Sequence, residues 1–221
     1  MTARERSLTR REERAAVRAD RSGSGPTRGS RPQLRHPGAA GAFALLGEVL
    51  LVGLLVTLVS VAVITLPAAL ASGVRHLRRY IGAEDSRLAL FWSDVRSSLL
   101  AGSVVGMVVL VATIVLLIDI DLARSGFLPG GALVEAVGWA GLAVVAAALL
   151  LAAGAWSPDL GWRGAIRVLP AAARDVAGVL YLVATAAFVV VVTWALPPLF
   201  IAGIGCAVLA VVAIPTRPRR G

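Results

Sequence analysis

The chain contains no lysine: all 22 of its basic residues are arginine, set against 13 acids, 2 histidines and 1 cysteine in 221 residues. A single cysteine, Cys206, excludes an intrachain disulfide and a cysteine-based metal site. It lies in the last apolar stretch, where it reads as a small lipid-facing or packing residue. The histidines, His36 and His76, stand at no metal-ligand spacing. Nothing in the sequence holds a serine, a histidine and a carboxylate together as a nucleophile constellation. Glycine fingerprints for phosphate or dinucleotide binding are also missing. The expectation is a non-enzyme with no catalytic, cofactor-binding or metal-ligating residues.

Charge is scarce as well. Charged residues make up 16% and hydrophobic ones 57%, with a mean hydropathy of +0.81; a soluble domain has roughly 25% and 45–50%. Aromatics are 5% of the chain and none falls in Met1–Pro37, although ten arginines lie in the first 35 residues. A nucleic-acid binder is expected to pair such charge with a folded module or stacking aromatics, so no nucleic-acid partner is expected. Residues 1–40 read as a disordered Arg-, Ser-, Gly- and Pro-rich tail. Its arginines act as topology signals and contacts for membrane lipids.

What the chain has in quantity is uncharged length. Val49–Val74, Ser97–Ile118, Ala136–Pro158 and Val176–Thr216 contain no Asp, Glu, Lys, Arg or His. Each exceeds the roughly 18–20 residues that cross a bilayer as a helix. The last is long enough for two spans and is divided by Pro197-Pro198. The fold class is therefore all-α: a polytopic helical membrane bundle of about five transmembrane helices within residues 41–214. The expected spans are 43–64, 99–118, 134–156, 176–196 and 199–214, with Pro67 ending or kinking the first. Residues 215–221 form a basic tail. Trp139, Trp156 and Trp194 lie near span ends, as interfacial aromatics do.

One or two cytoplasmic amphipathic helices are expected between spans, at 86–98 and 159–169. In the first, Leu88, Phe91, Trp92, Val95 and Leu99 share a face, whereas Arg87, Asp94, Arg96 and Ser97 fall elsewhere. In the second, Trp162, Ile166 and Leu169 oppose Arg163 and Arg167, with Pro170 as the stop. The order of amphipathic helix, span, turn and span thus occurs twice, over about 86–156 and 159–214, either as a repeat of the kind transporters use or as coincident loop chemistry.

Arginine-rich connectors place the C-terminus in the cytoplasm. With five spans the N-terminal tail then lies outside. Two alternatives keep it inside or remove it: Phe43–Val74 dips in and returns as a re-entrant element around Pro67, or translation begins later.

Among single residues, Glu48 is the acid well inside an apolar stretch. Intramembrane carboxylates are costly, so it reads either as a proton- or cation-coupling group or as a side chain snorkelling to the interface. Asp119, Asp121 and Glu135 at the outer ends of spans read as caps or solvated acids before they read as a cation site. Gly102–Gly106 and Gly203–Gly205 offer small surfaces for helix packing. Phe91, Trp92, Val95 and Arg96 combine aromatic anchors with an arginine, the composition of a partner-docking hot spot, or else they orient an interfacial helix.

Ile64-Thr65-Leu66-Pro67-Ala68-Ala69-Leu70-Ala71, the basic run Arg75-His76-Leu77-Arg78-Arg79 and Phe91-Trp92-Ser93-Asp94-Val95-Arg96-Ser97-Ser98-Leu99 together resemble the YesL family of small bacterial integral membrane proteins, a domain of unknown function. The similar features are a first span ending in a Thr- and Pro/Ala-rich motif (here Thr65, Pro67 and Ala69), a basic helix and an aromatic pair. The likeness covers about 43–118 and is compositional beyond. The chain departs from the pattern with Ser98 and Leu99 where the family often has Asn and Phe. It also lacks a clear glycine before the proline and adds the arginine tail. The resemblance implies a bacterial inner-membrane protein linked to ABC-type carbohydrate uptake, without implying an activity; the leading expectation is a non-enzymatic accessory or assembly factor. The alternative is a small solute permease or channel, acting alone, with another membrane protein or as a homo-oligomer.

Overall fold

The computed structural model describes residues 39–126 and 129–216. Expectations for residues 1–38 and 217–221 lie outside the described residues. The chain divides into two units, Met1–Phe43 and Ala44–Gly221, and the second holds the bundle.

Helix α1 (Ala39–Val59) is apolar apart from Glu48 and Thr57. It ends earlier than expected, at Val59, before a 3-10 turn over Val63–Thr65. The Thr65 hydroxyl lies 2.5 Å from the Val59 carbonyl and 2.6 Å from that of Ala62, closing this turn. Pro67 was expected to end or kink the first span; instead it opens helix α2 (Leu66–Ile81) from its first turn. There the missing N–H costs nothing, because first-turn N–H groups have no partner within the helix.

The apolar half of α2 is buried on every side, with Pro67, Ala68, Ala69, Leu70, Ala71, Ser72, Gly73 and Val74 all in the core. Helix α2 returns antiparallel along α1. A Cβ on Gly73 would lie 2.7 Å from Val56 Cγ2 and 3.1 Å from Val52 Cγ1, so glycine is what lets the two helices close to this distance.

Helix α3 (Leu88–Arg124) is a single helix of 37 residues, about 55 Å at 1.5 Å per residue. The amphipathic helix expected at 86–98 is therefore its first part rather than a separate interfacial element. Asp94, Ser98, Gly102 and Gly106 are buried four residues apart along it. They form an i±4 ridge that lies antiparallel on α2. Gly102 meets Ala68, and a Cβ on Gly106 would fall 1.9 Å from the Ile64 carbonyl oxygen.

Helix α4 (Gly131–Ala155) runs back along α3, with Gly131, Gly138 and Gly141 closing on Ala123, Ile120 and Leu116. The second expected amphipathic segment is two short pieces, α5 (Gly161–Arg167) and α6 (Leu169–Ala172). Trp162 and Ala165 are buried and Ile166 is exposed, and Pro170 sits in the first turn of α6 rather than stopping a helix. The two halves of the expected repeat thus differ: one amphipathic segment fuses with its span and the other breaks away from it.

Helix α7 (Val176–Ala195) is capped by the Asp175 carboxylate, which accepts from Gly178 N–H at 3.1 Å. A 3-10 turn over Pro197–Leu199 then leads into α8 (Phe200–Ala213). Close contacts of Gly53 with the Ile201 carbonyl and of Gly205 with the Val49 carbonyl bring α8 onto α1.

Five helical segments are long and apolar enough to cross a membrane, namely Gly41–Val59, Leu88–Arg124, Gly131–Ala155, Val176–Ala195 and Pro197–Thr216. No strand occurs among the described residues. The protein is an all-α, multi-pass membrane bundle. Leu100, Val104, Val108, Val111, Val115 and Ile118 leave α3 with an exposed apolar face. In water such a patch is a liability, and in lipid it is the ordinary outer surface.

Candidate functional site

The basic half of α2 projects side chains toward three neighbours because its helical turn separates them. Arg75 and Arg79, four residues apart, share a face and meet Asp94 of α3. Arg79 Nη2 lies 2.9 Å and Arg75 Nε 3.5 Å from Asp94 Oδ2. Asp94 is 5% exposed. His76, a quarter-turn round, faces α1, where its Nε2 lies 2.6 Å from Glu48 Oε1. The imidazole is 1% exposed and Nδ1 has no hydrogen-bond partner.

Arg78 lies toward the C-terminal end of α4, where its Nη2 would be 3.8 Å from a Cβ at Gly154. Burial first, and the charge of Arg75 second, hold the Arg78 guanidinium below the ordinary arginine range. Outside the bundle, the Asp85 carboxylate is held below its usual range, first by the side-chain hydrogen bond from Arg87 at 2.8–3.0 Å.

Aromatic rings hold this end together. Phe91 is fully buried, edge-on to His76 at 6.2 Å and to Trp92 at 5.5 Å. The Arg75 guanidinium lies 5.6 Å from the centre of the Trp156 ring, which is tilted against Trp162 at 6.4 Å. Trp162 Nε1 donates to the Ser98 carbonyl at 3.3 Å. The Ser98 hydroxyl donates to Val95 O at 3.2 Å, with Ala68 O at 3.5 Å. Trp156 is thus an internal residue, whereas Trp139 and Trp194 remain exposed.

The residues singled out by sequence separate into distinct places. Glu48 is neither free in the bilayer nor snorkelling alone, because it is paired with His76. Phe91 and Val95 are core residues; Trp92, at 38% exposure, and Arg96 stay on the surface. The proposed four-residue docking face is therefore reduced to these two. Thr65 forms the turn, and Pro67 and Ala69 lie in the buried half of α2. Glu135 is bonded by Arg124 and Trp139 at 2.7 and 3.4 Å, and Asp119 and Asp121 are exposed. Cys206 is exposed on α8. Among the described residues, no three His, Cys, Asp or Glu come together as a metal site.

Asp94 was expected on the outward polar face and is instead the buried partner of two arginines. The signal for it was present: Asp94, Ser98, Gly102 and Gly106 recur every four residues, so the small-residue contact surface extends back to the acid. Comparisons with models of known families, with curated proteins and with solved structures find no match to this chain.

Proposed function

We propose that the protein is a non-enzymatic accessory or assembly factor of the bacterial inner membrane, serving an ABC-type carbohydrate transporter and docking on it through Trp92 and Arg96. The observation that carries this reading is Trp92 standing half-exposed on a fully buried Phe91. A rigidly backed aromatic with an arginine one turn along the helix is the composition of an interface hot spot. The likeness of residues 43–118 to the YesL family supports the link to sugar uptake.

The same reading places the arginine-rich end of the bundle in the cytoplasm. Because α2 returns along α1, the chain enters and leaves this hairpin at one end. Helix pairs α3–α4 and α7–α8 return likewise, so among the described residues every arginine except Arg124 lies at one end of the bundle. That distribution satisfies the positive-inside tendency for the described connectors. A cysteine at Ser22 in a Cys206→Ser background should resist a membrane-impermeant reagent in intact cells and react after lysis.

Co-purification with a carbohydrate ABC transporter, lost in Trp92→Ala and kept in Glu48→Gln, is the expected result. The Glu48–His76 pair favours a second reading, a small proton-coupled permease. Solute flux by the isolated protein in proteoliposomes, abolished by Glu48→Gln, would select it.

A further inference from the structure

The charges at the arginine-rich end do not balance within the described part of the chain. Arg75, Arg78 and Arg79 bring three guanidinium groups to one end of α2. Asp94 is the one carboxylate among the described residues that pairs with Arg75 and Arg79. Glu48 is taken by His76, and no carboxylate among the described residues pairs with Arg78. Two donor nitrogens, Arg75 Nη1 and Arg79 Nη1, are buried without a hydrogen-bond partner, as is Asp94 Oδ2, so the single carboxylate between the two guanidinium groups leaves donors of both unmet. A donor left unpaired away from water is costly, more so when charged, so three guanidinium groups facing one carboxylate favour a further anionic acceptor.

The position of the cluster narrows what that acceptor is. It sits where α4 ends at Ala155 and the chain turns at Trp156, within the uncharged stretch Ala136–Pro158. Trp156 covers one face of Arg75, which leaves its remaining N–H groups pointing along the guanidinium plane. Planar arginine forks match tetrahedral oxyanions, and basic clusters between helices at a membrane face take anionic headgroups. The repulsion between Arg78 and Arg75, which acts after desolvation in lowering the Arg78 pKa, is also the kind that a bound anion relieves.

We infer that Arg75, Arg78 and Arg79, beside Trp156, form a binding site for a phosphate group, carried by an anionic phospholipid headgroup or by a soluble phosphate. Asp94 holds Arg75 and Arg79 in place from α3, and Arg78, the more exposed of the three, closes the site at its outer edge.

The test uses full-length protein in detergent, titrated with phosphatidylglycerol, with phosphatidylcholine and with inorganic phosphate. The readouts are native mass spectrometry and the fluorescence of the tryptophans next to the site. Phosphatidylglycerol is expected to bind at one saturable site, and phosphatidylcholine is not. Competition by millimolar inorganic phosphate identifies a soluble phosphate as a ligand in its own right, whereas its failure to compete assigns the site to the lipid. Arg78→Gln should weaken binding about fivefold, the contribution of one basic residue near an anionic surface. Arg78→Lys should retain most of the affinity, and Arg167→Gln, an exposed arginine elsewhere at this end, should match the wild type. Equal affinity for phosphatidylglycerol and phosphatidylcholine overturns the inference, as does equal binding by wild type and a folded Arg78→Gln, or an equal loss in Arg167→Gln.

Discussion

Glu48 on α1 and His76 on α2, separated by 28 positions in sequence, meet at 2.6 Å with the imidazole buried. The contact fixes how far α2 returns along α1. It also converts an expensive intramembrane carboxylate into half of a pair, one of the ways such groups are accommodated.

Groups in direct contact couple by about 0.5–3 kcal/mol in a double-mutant cycle. Glu48→Leu and His76→Phe should each lower the thermal stability of the detergent-solubilised protein. The double variant should lose less than the sum of the two. Strict additivity in the cycle would show that the pair does not hold the hairpin.

Asp94 and Asp85 both form ion pairs with arginine, but their burial differs. Removing one partner of a buried ion pair costs about 3–5 kcal/mol, because the other charge is left uncompensated; Asp94→Asn leaves two arginines in that state and should shift thermal unfolding strongly. Asp85 is exposed, with its pKa depressed by Arg87. A depressed folded-state pKa contributes stability above the unfolded value and loses it as pH falls through the folded one, and solvent screening keeps this contribution small. Asp85→Asn should therefore lie close to wild type at pH 7, and the two should converge in acid. A larger loss in Asp85→Asn than in Asp94→Asn would contradict the geometry.

Close helix contacts predict an order among glycine-to-alanine variants. A Cβ on Gly106 would lie 1.9 Å from the Ile64 carbonyl oxygen, and one on Gly53 2.1 Å from that of Ile201, whereas Gly47 has nothing within 4 Å. Overpacking costs about 1–3 kcal/mol, occasionally more. Gly106→Ala and Gly53→Ala should reduce folded yield and melting temperature, while Gly47→Ala should leave both unchanged. The readout is fluorescence-detected size-exclusion chromatography after heating.

Neighbours Phe91 and Trp92 should separate folding from docking. Phe91 is fully buried, and truncating a buried phenylalanine costs about 3–5 kcal/mol. Phe91→Ala should destabilise the protein, whereas Trp92→Ala should melt near wild type and show its effect only as a loss in the partner pull-down. A comparable loss of stability in Trp92→Ala would mean that its ring serves the core.

Hydropathy is a local, additive property, and a bilayer demands a minimum uncharged length. The sequence by itself therefore determined the helical class, the spans from 176–196 and 199–214, and the division at Pro197-Pro198. The small-residue contacts at Gly102, Gly106 and Gly205 were also readable there, because a missing side chain marks where backbones close. Which face of residues 88–98 turns inward was decided by the tertiary structure. An amphipathic pattern ranks faces by polarity, and polarity ceases to mean exposure once Arg75 and Arg79 arrive from another helix to neutralise Asp94. The return of α2 along α1, the burial of Phe91 and Val95 and the capture of Glu48 by His76 share that cause: each depends on a partner distant in sequence, and no window along the chain contains both members of the pair.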